Sequence, residues 1–237
     1  MSCFDKIDGI YCILSPEDSK MYEERFNHSI QLFSYLGLLD RVTYVKGLPL
    51  SERVDDGSQV DSANLDLVCN NQACFQDAVN HDYDTILIFE DDAFLDLLEF
   101  EPVLEDAFRI FDTPDFGMLY LGWSLVRDKI AFRVPNFETI LKINGALCSH
   151  AIVYSKMLIK DMCGFYPKHL TRLSVGKKFI EKFKSHDNYL CNFLPPFYKK
   201  YIPIFRIFGQ MDGYSGIRLS DVNHHDEDQW YDKFDIM

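Results

Sequence analysis

No run of apolar residues in this chain approaches the roughly 18 that a membrane-spanning helix requires, so no transmembrane segment is expected. Basic residues are scarce: 24 Lys and Arg stand against 37 Asp and Glu, a net charge of −13. Such a balance argues against nucleic acid or an anionic membrane as a general partner. An anionic ligand would have to be met by a local basic patch or by a metal. Seven cysteines (3, 12, 69, 74, 148, 163 and 191) contain no Cys-x-x-Cys pair, which argues against a cysteine zinc site and for reduced structural thiols. The opening "MSCFDKIDGIYCIL" carries acids and lacks a charged-then-apolar leader, so a cytoplasmic protein is expected. GxxxxGK with a following Ser or Thr, GxGxxG, HExxH and GxSxG are all missing, which weighs against P-loop kinase, dehydrogenase, zinc-protease and serine-hydrolase chemistry. Repeats, low-complexity tracts and Pro/Gly-rich linkers are also missing. One domain over residues 1–220 is therefore expected, with an acidic tail over 221–237 that is either a lid or disordered.

What is present is a chain of 237 residues, 47% of them hydrophobic, enough for a sizeable core. "GIYCIL" (9–14) predicts a buried strand, and 22–39 a helix with Phe26, Ile30, Phe33 and Leu36 or Leu39 on one face. "RVTYV" (41–45) predicts a strand, 63–80 a helix, "TILIF" (85–89) a strand, 101–111 a helix and "FGMLYLGW" (116–123) a strand. This alternation implies an α/β fold with a mainly parallel sheet. The unbroken apolar character of 85–89 suits a strand covered on both faces. In the second half "KIAFRV" and "TILKI" predict paired strands, "HAIVYS" another strand, 156–163 and 187–194 helices, and "YIPIFRIFGQ" one late strand.

The chemistry concentrates where "TILIF" runs into Glu90, Asp91 and Asp92. Ligands of open α/β sheets gather outside the carboxyl ends of strands. Three adjacent carboxylates repel one another and, partly buried, are driven towards their neutral forms. A hard divalent cation such as Mg²⁺ or Mn²⁺ relieves that conflict and bridges carboxylates to a diphosphate. A helix N-terminus would account for one or two of the acids, but less well for three beside a buried strand.

Six segments, in order, resemble glycosyltransferase family 25, which includes lipopolysaccharide glycosyltransferases and collagen hydroxylysine galactosyltransferases. "TILIFEDDAFLD" is similar to the family's Glu-Asp-Asp segment, and "GIYCILSPEDSKMYEER" to its first strand and the arginine that follows, here Arg25. "FGMLYLGWS", "GALCSHAIVYSKMLIKDM", "SHDNYLCNFL" and "YIPIFRIFGQMDGYSGI" resemble its later motifs. Ile152 departs from the usual tyrosine after His-Ala, and Gly216 stands where an acid commonly follows the serine. The resemblance implies a GT-A-type fold with a nucleotide-binding sheet and a smaller acceptor-side half. It also implies a nucleotide-sugar donor, UDP-sugar above others, Mn²⁺ or Mg²⁺, and transfer of a hexose such as galactose or glucose, with inversion, to a glycan or protein hydroxyl.

By that resemblance Glu90 and Asp92 hold the metal. Leu14, Ser15, Arg25, Glu90, Asp91, Gln210 and Asp212 line the donor site, and Asp187 is the base. The competing role for Asp187 is an N-cap of helix 187–194. His224 or His225 is a candidate third metal ligand, weighed against plain solvation in an acidic tail. His186 is expected to sit idle at the surface and His150 to be a satisfied core histidine. Trp123 is the aromatic to test at the pocket. Lys168, Arg172, Lys177, Lys178, Lys182 and Lys184 form a basic stretch that reads first as a solvated helix face. Two rival functions remain open at this stage: a metal-dependent phosphohydrolase or nuclease, and a non-catalytic module that binds a glycan or nucleotide-sugar.

Overall fold

The computed structural model describes residues 3–47, 59–147, 150–164, 182–183, 185–211, 213–215, 220–222 and 235–237. Its first half follows the expected strand–helix alternation. Strands β1 (Gly9–Leu14), β2 (Val42–Lys46), β3 (Thr85–Glu90) and β5 (Phe116–Gly122) interleave with helices α1 (Tyr22–Tyr35), α2 (Gln59–Asn80) and α3 (Glu101–Phe108). Short β4 (Ala93–Leu95) and β6 (Leu125–Val126) follow β3 and β5. The second half contributes β7 (Ile130–Arg133), β8 (Ile140–Ile143), β9 (Ala146–Leu147), β10 (Ala151–Ser155), α4 (Lys156–Gly164), α5 (His186–Asn192), β11 (Lys199–Pro203) and β12 (Phe208–Gln210). Strands β13 (Gly213–Ser215) and β14 (Ser220–Val222) pair with each other, and β15 (Asp235–Ile236) adds itself beside β7.

The main sheet has the order β15-β7-β8-β11-β5-β10-β3-β1-β2, with β4 and β12 attached beside it. Strands β2, β1 and β3 run parallel, and β11 is parallel to β5. Strand β10 lies antiparallel between β3 and β5, so its first residues share an end of the sheet with the last residues of those two strands. Hairpin β7–β8 joins β11 on the far side as the smaller half. This is the mixed α/β fold with a mainly parallel central sheet that the alternation implied.

Pleating accounts for the two-sided core. Ile86 and Ile88 of β3 join Tyr11, Ile13, Tyr120, Ile152 and Tyr154 on one face, with Phe75 of α2 and Leu158 of α4 above them. Leu87 and Phe89 turn to the other face, with Ile10, Cys12, Leu14, Phe33 of α1 and Leu104 of α3. All four of these β3 side chains are buried, each worth about 1.5–3 kcal/mol of transfer free energy. In α1 the buried face uses Leu32 and Phe33, with Leu36 buried at the C-cap, whereas Leu39 is exposed.

The single late strand expected over "YIPIFRIFGQ" is in fact two. Strand β11 pairs with β5 and β8 as far as Pro203, and β12 then pairs with β4 and touches Gly122 of β5. Between them Ile204 N–H donates to Thr139 O and Ile207 N–H to Leu121 O, while Arg206 Nε binds Asp96 at 2.7 Å. Proline cannot donate to a continuing ladder, and the change of partner falls there.

Candidate functional site

Residues 90–92 lie where β3 ends and the chain turns back into β4. The turn is held from four directions. Glu90 pairs with Ile13 of β1, and its N–H donates to His150 O at 3.0 Å. Ala93 pairs with Gln210 of β12, and Met211 N–H donates to Asp92 O at 2.8 Å. His28 of α1 lies 2.9 Å from Ala93 O. Backbone pairing on both sides thus fixes where the three acids stand.

Their side chains are organised around one arginine. Arg25 Nη1 lies 3.2 Å from Asp91 Oδ1 and 3.3 Å from Asp92 Oδ2. Ser15 N–H donates to Asp91 Oδ2 at 2.6 Å, and Gln210 Nε2 to Asp92 Oδ2 at 3.1 Å. Asp91 and Asp92 are each only 4% exposed, and Asp92 Oδ1 is buried with no partner. A cation in the first turn of α1 works against the helix dipole, which Glu23 and Glu24 favour. Asp91 and Asp92 offset that cost by pairing with it.

Charge remains in excess. Desolvation first, then Asp92, Asp187 and Asp91, push the Glu90 carboxyl well above its ordinary range. Desolvation also raises Asp91, against the pull of Arg25 and the Ser15 N–H. Burial opposes the Arg25 charge, yet Asp92, Asp91 and Glu90 raise its pKa overall. Among the described residues no three His, Cys, Asp or Glu side chains gather closely enough to hold a metal ion. A cation at this turn would therefore draw on two carboxylates and take its other ligands from a bound molecule.

The structure brings together most of the residues singled out from the sequence: Ser15, Arg25, Glu90, Asp91, Asp92 and Gln210, with Asp187 close enough to act on Glu90. Leu14 contributes a core side chain and a carbonyl that accepts from Gly47 N–H. Asp212, Gly216, His224, His225 and the basic stretch apart from Lys182 lie outside the described residues. Lys182 sits over the Phe183 ring at 4.9 Å.

Asp187 is not the N-cap of its helix. Ser185 fills that position, its side chain accepting from Asn188 N–H at 3.1 Å. Asp187 stands in the first turn of α5, and its charge reaches Glu90, Tyr120 and Tyr154. Two other expectations are corrected. His186 is buried, not a surface residue: it lies 3.4 Å from Tyr154 OH and beside Phe75, and desolvation lowers its pKa to about 4. Trp123 is a core residue at 1% exposure, so it offers no open ring to a ligand. His150 is a core histidine as expected, with Nε2 2.8 Å from Phe208 O. Ile152 is buried between Ile88 and Tyr120.

One feature near the end of β1 was not anticipated from the sequence. Helix α2 buries Asn64, Asp66, Asn70 and Asn71. Asp66 lies against Gly47, where an added Cβ would stand 2.7 Å from its Oδ2, beside the end of β1. The i, i+4 spacing of Asp66 with Asn70 and the i, i+7 spacing of Asn64 with Asn71 were the available signals.

No protein-family model matches this chain, and no curated protein matches it in sequence. Solved structures match its shape weakly. A glycosyltransferase involved in glycosylation of the major capsid of the virus PBCV-1 has a TM-score of 0.45 at 11% identity, covering 94% of this chain and 98% of that one. UDP-glucose pyrophosphorylase complexed with UDP-glucose scores 0.33 at 7% identity, covering 65% and 61%. Mouse xyloside xylosyltransferase 1 scores 0.34 at 10% identity, covering 77% and 79%. At such scores and identities these likenesses carry no weight for function.

Proposed function

We propose that this protein is a glycosyltransferase of GT-A type that moves a hexose from a UDP-sugar to a hydroxyl of a glycan or protein acceptor. One observation carries the reading: at the carboxyl end of β3, Glu90, Asp91 and Asp92 gather around the Arg25 guanidinium, Asp187 adds its charge to Glu90, and Asp92 Oδ1 is buried without a partner. Among the described residues that is a turn where carboxylates outnumber their cation. The motif resemblance to family 25 supplies the choice of UDP, hexose and inversion.

The residues present fit a hard divalent cation. The unpartnered Asp92 oxygen and the Glu90 carboxylate are oxygen donors of the kind Mg²⁺ and Mn²⁺ take, with diphosphate oxygens completing the set. When bound, such an ion supplies Lewis acidity that offsets the charge developing on the departing diphosphate.

The chain's own groups do the rest. Ser15 and Gln210 fix the two aspartate carboxylates, so the acidic surface is organised before a ligand arrives. Asp187, free of the capping duty that Ser185 performs, accepts the proton of the acceptor hydroxyl. The oxygen so released attacks the anomeric carbon from the face opposite the diphosphate, which leaves with its bonding pair. Configuration inverts.

A thermal-shift panel of UDP-, GDP- and CMP-sugars with and without Mn²⁺ tests the reading, followed by assay of sugar-dependent UDP release. A Mn²⁺-dependent shift with a UDP-sugar, lost in Asp92→Asn, is expected. Turnover of nucleotide phosphodiesters without sugar transfer would instead favour the phosphohydrolase reading.

A further inference from the structure

Arg25 raises a question that nucleotide-sugar binding alone does not answer. Its Nη1 already lies within ion-pair distance of Asp92, a carboxylate that would receive a metal, and of the adjacent Asp91, and its side chain is only 12% exposed. Three of the four aspartate oxygens in this pair have partners: Arg25 on Asp91 Oδ1, Ser15 N–H on Asp91 Oδ2, and Arg25 with Gln210 on Asp92 Oδ2. Only Asp92 Oδ1 has none. A divalent cation on that oxygen would stand on the same carboxylate as a buried guanidinium. In a partly desolvated site, like charges this close repel strongly.

We propose that Arg25 is a resident cation that makes metal binding conditional on the nucleotide diphosphate. Without nucleotide the guanidinium offsets the charge of Asp91 and Asp92 and disfavours a second cation. A diphosphate offers the guanidinium a better-matched partner, since arginine binds phosphate oxygens in a two-pronged fashion. As Nη1 turns from Asp92 towards the phosphate, Asp92 and Glu90 become available to the metal. Nucleotide binding and metal binding then reinforce each other, and by linkage each strengthens the other by the same factor. This rests on the nucleotide-sugar reading given above and adds an order of assembly to it.

The test is direct binding rather than turnover. Mn²⁺ affinity is measured by electron paramagnetic resonance titration on the whole chain, with and without UDP, for the wild type and Arg25→Met. Without UDP the variant is expected to bind Mn²⁺ at least about tenfold more tightly than the wild type, because the competing charge is gone. Wild type should gain at least about tenfold on adding UDP. Equal nucleotide-free affinities in the two proteins, or wild-type Mn²⁺ binding that ignores UDP, would overturn the proposal. Since Arg25→Met leaves two buried aspartates facing each other, Arg25→Met with Asp91→Asn provides a second variant that removes the arginine and one charge together. It too should bind Mn²⁺ without UDP more tightly than Asp91→Asn alone, and failure to do so counts against the proposal. A protein that binds neither UDP nor Mn²⁺ in any arm fails the nucleotide-sugar reading itself. One that binds both, each indifferent to the other, fails only the role of Arg25.

Discussion

The Arg25 guanidinium lies 3.3 Å from Asp92 Oδ2, while the other oxygen of the same carboxylate is buried without any partner. One side chain is therefore half satisfied, in a turn whose backbone is held at Glu90 N–H and Asp92 O. Partial satisfaction at a rigid position is what a ligand site requires, and it separates this acidic turn from an ordinary surface cluster.

Removing the arginine should be costly. Arg25→Met leaves Asp91 and Asp92 buried without their cation, and the expected loss is about 3 kcal/mol of unfolding free energy. Urea denaturation monitored by circular dichroism checks this, and Arg25→Lys should recover part of the loss. A variant as stable as the wild type would mean that the aspartates take up protons at no cost.

Asp187 and Ser185 can be separated by mutation. Asp187→Asn should lower kcat by about a hundredfold to ten-thousandfold, with KM for the donor little changed, if it accepts the acceptor's proton. Ser185→Ala should instead cost about 1 kcal/mol of stability through the lost cap of α5. Steady-state kinetics and thermal melts on the two variants distinguish the roles. A catalytically normal Asp187→Asn would remove Asp187 from the mechanism.

Burial of His186 sets an acid limit on stability. Desolvation lowers its pKa from 6.5 to about 4, so the unfolded chain takes up a proton at higher pH than the folded one. Stability from this group is fully present above pH 6.5 and is lost on acidification towards pH 4, by about 3 kcal/mol in all. Melting temperatures from pH 7 to pH 4.5 should fall more steeply for wild type than for His186→Gln. Parallel curves would show that the ring is already charged in the folded state.

Gly122 ends β5 where the chain leaves for Trp123. A Cβ there would collide with the His150 ring and crowd Phe208 O. Gly122→Ala should cost about 1–3 kcal/mol through overpacking and loosen the junction of β5, β10 and β12. A chemical denaturation curve measures the loss, and an unchanged midpoint would mean that His150 can move aside.

The sequence and the structure agree best where a single short stretch settles the matter. "TILIF" reads as a doubly covered strand because its four apolar residues, Ile86 to Phe89, alternate to both faces, and the three acids after it then stand at its end. Agreement fails where the partner comes from far away in the chain. "YIPIFRIFGQ" reads as one strand because its apolar character runs almost unbroken, yet the stretch changes neighbours after Pro203. Polar flanks make His186 look exposed, but Tyr154 and Phe75 close over it. Trp123 directly follows the end of β5, where a ligand-facing ring would be looked for, and its own ring is nonetheless absorbed into the core. Arg25 was legible as a site residue through its motif; its pairing with two of the three acids was not, since nothing local couples α1 to the turn after β3.

The insertion of β10 beside β3 has a consequence for how the chain is made. Thr85 finds its partner Ser155 only after some seventy further residues have been synthesised, and β5, which emerges in between, cannot substitute for it. During that interval a strongly apolar strand keeps an open edge on the nascent chain, the kind of edge that recruits other strands. Fragments ending before residue 155 should therefore accumulate as insoluble material, whereas fragments that include β10 should show markedly better recovery. The acidic turn, whose Glu90 N–H donates to His150 O, takes shape only once that interval of translation has passed.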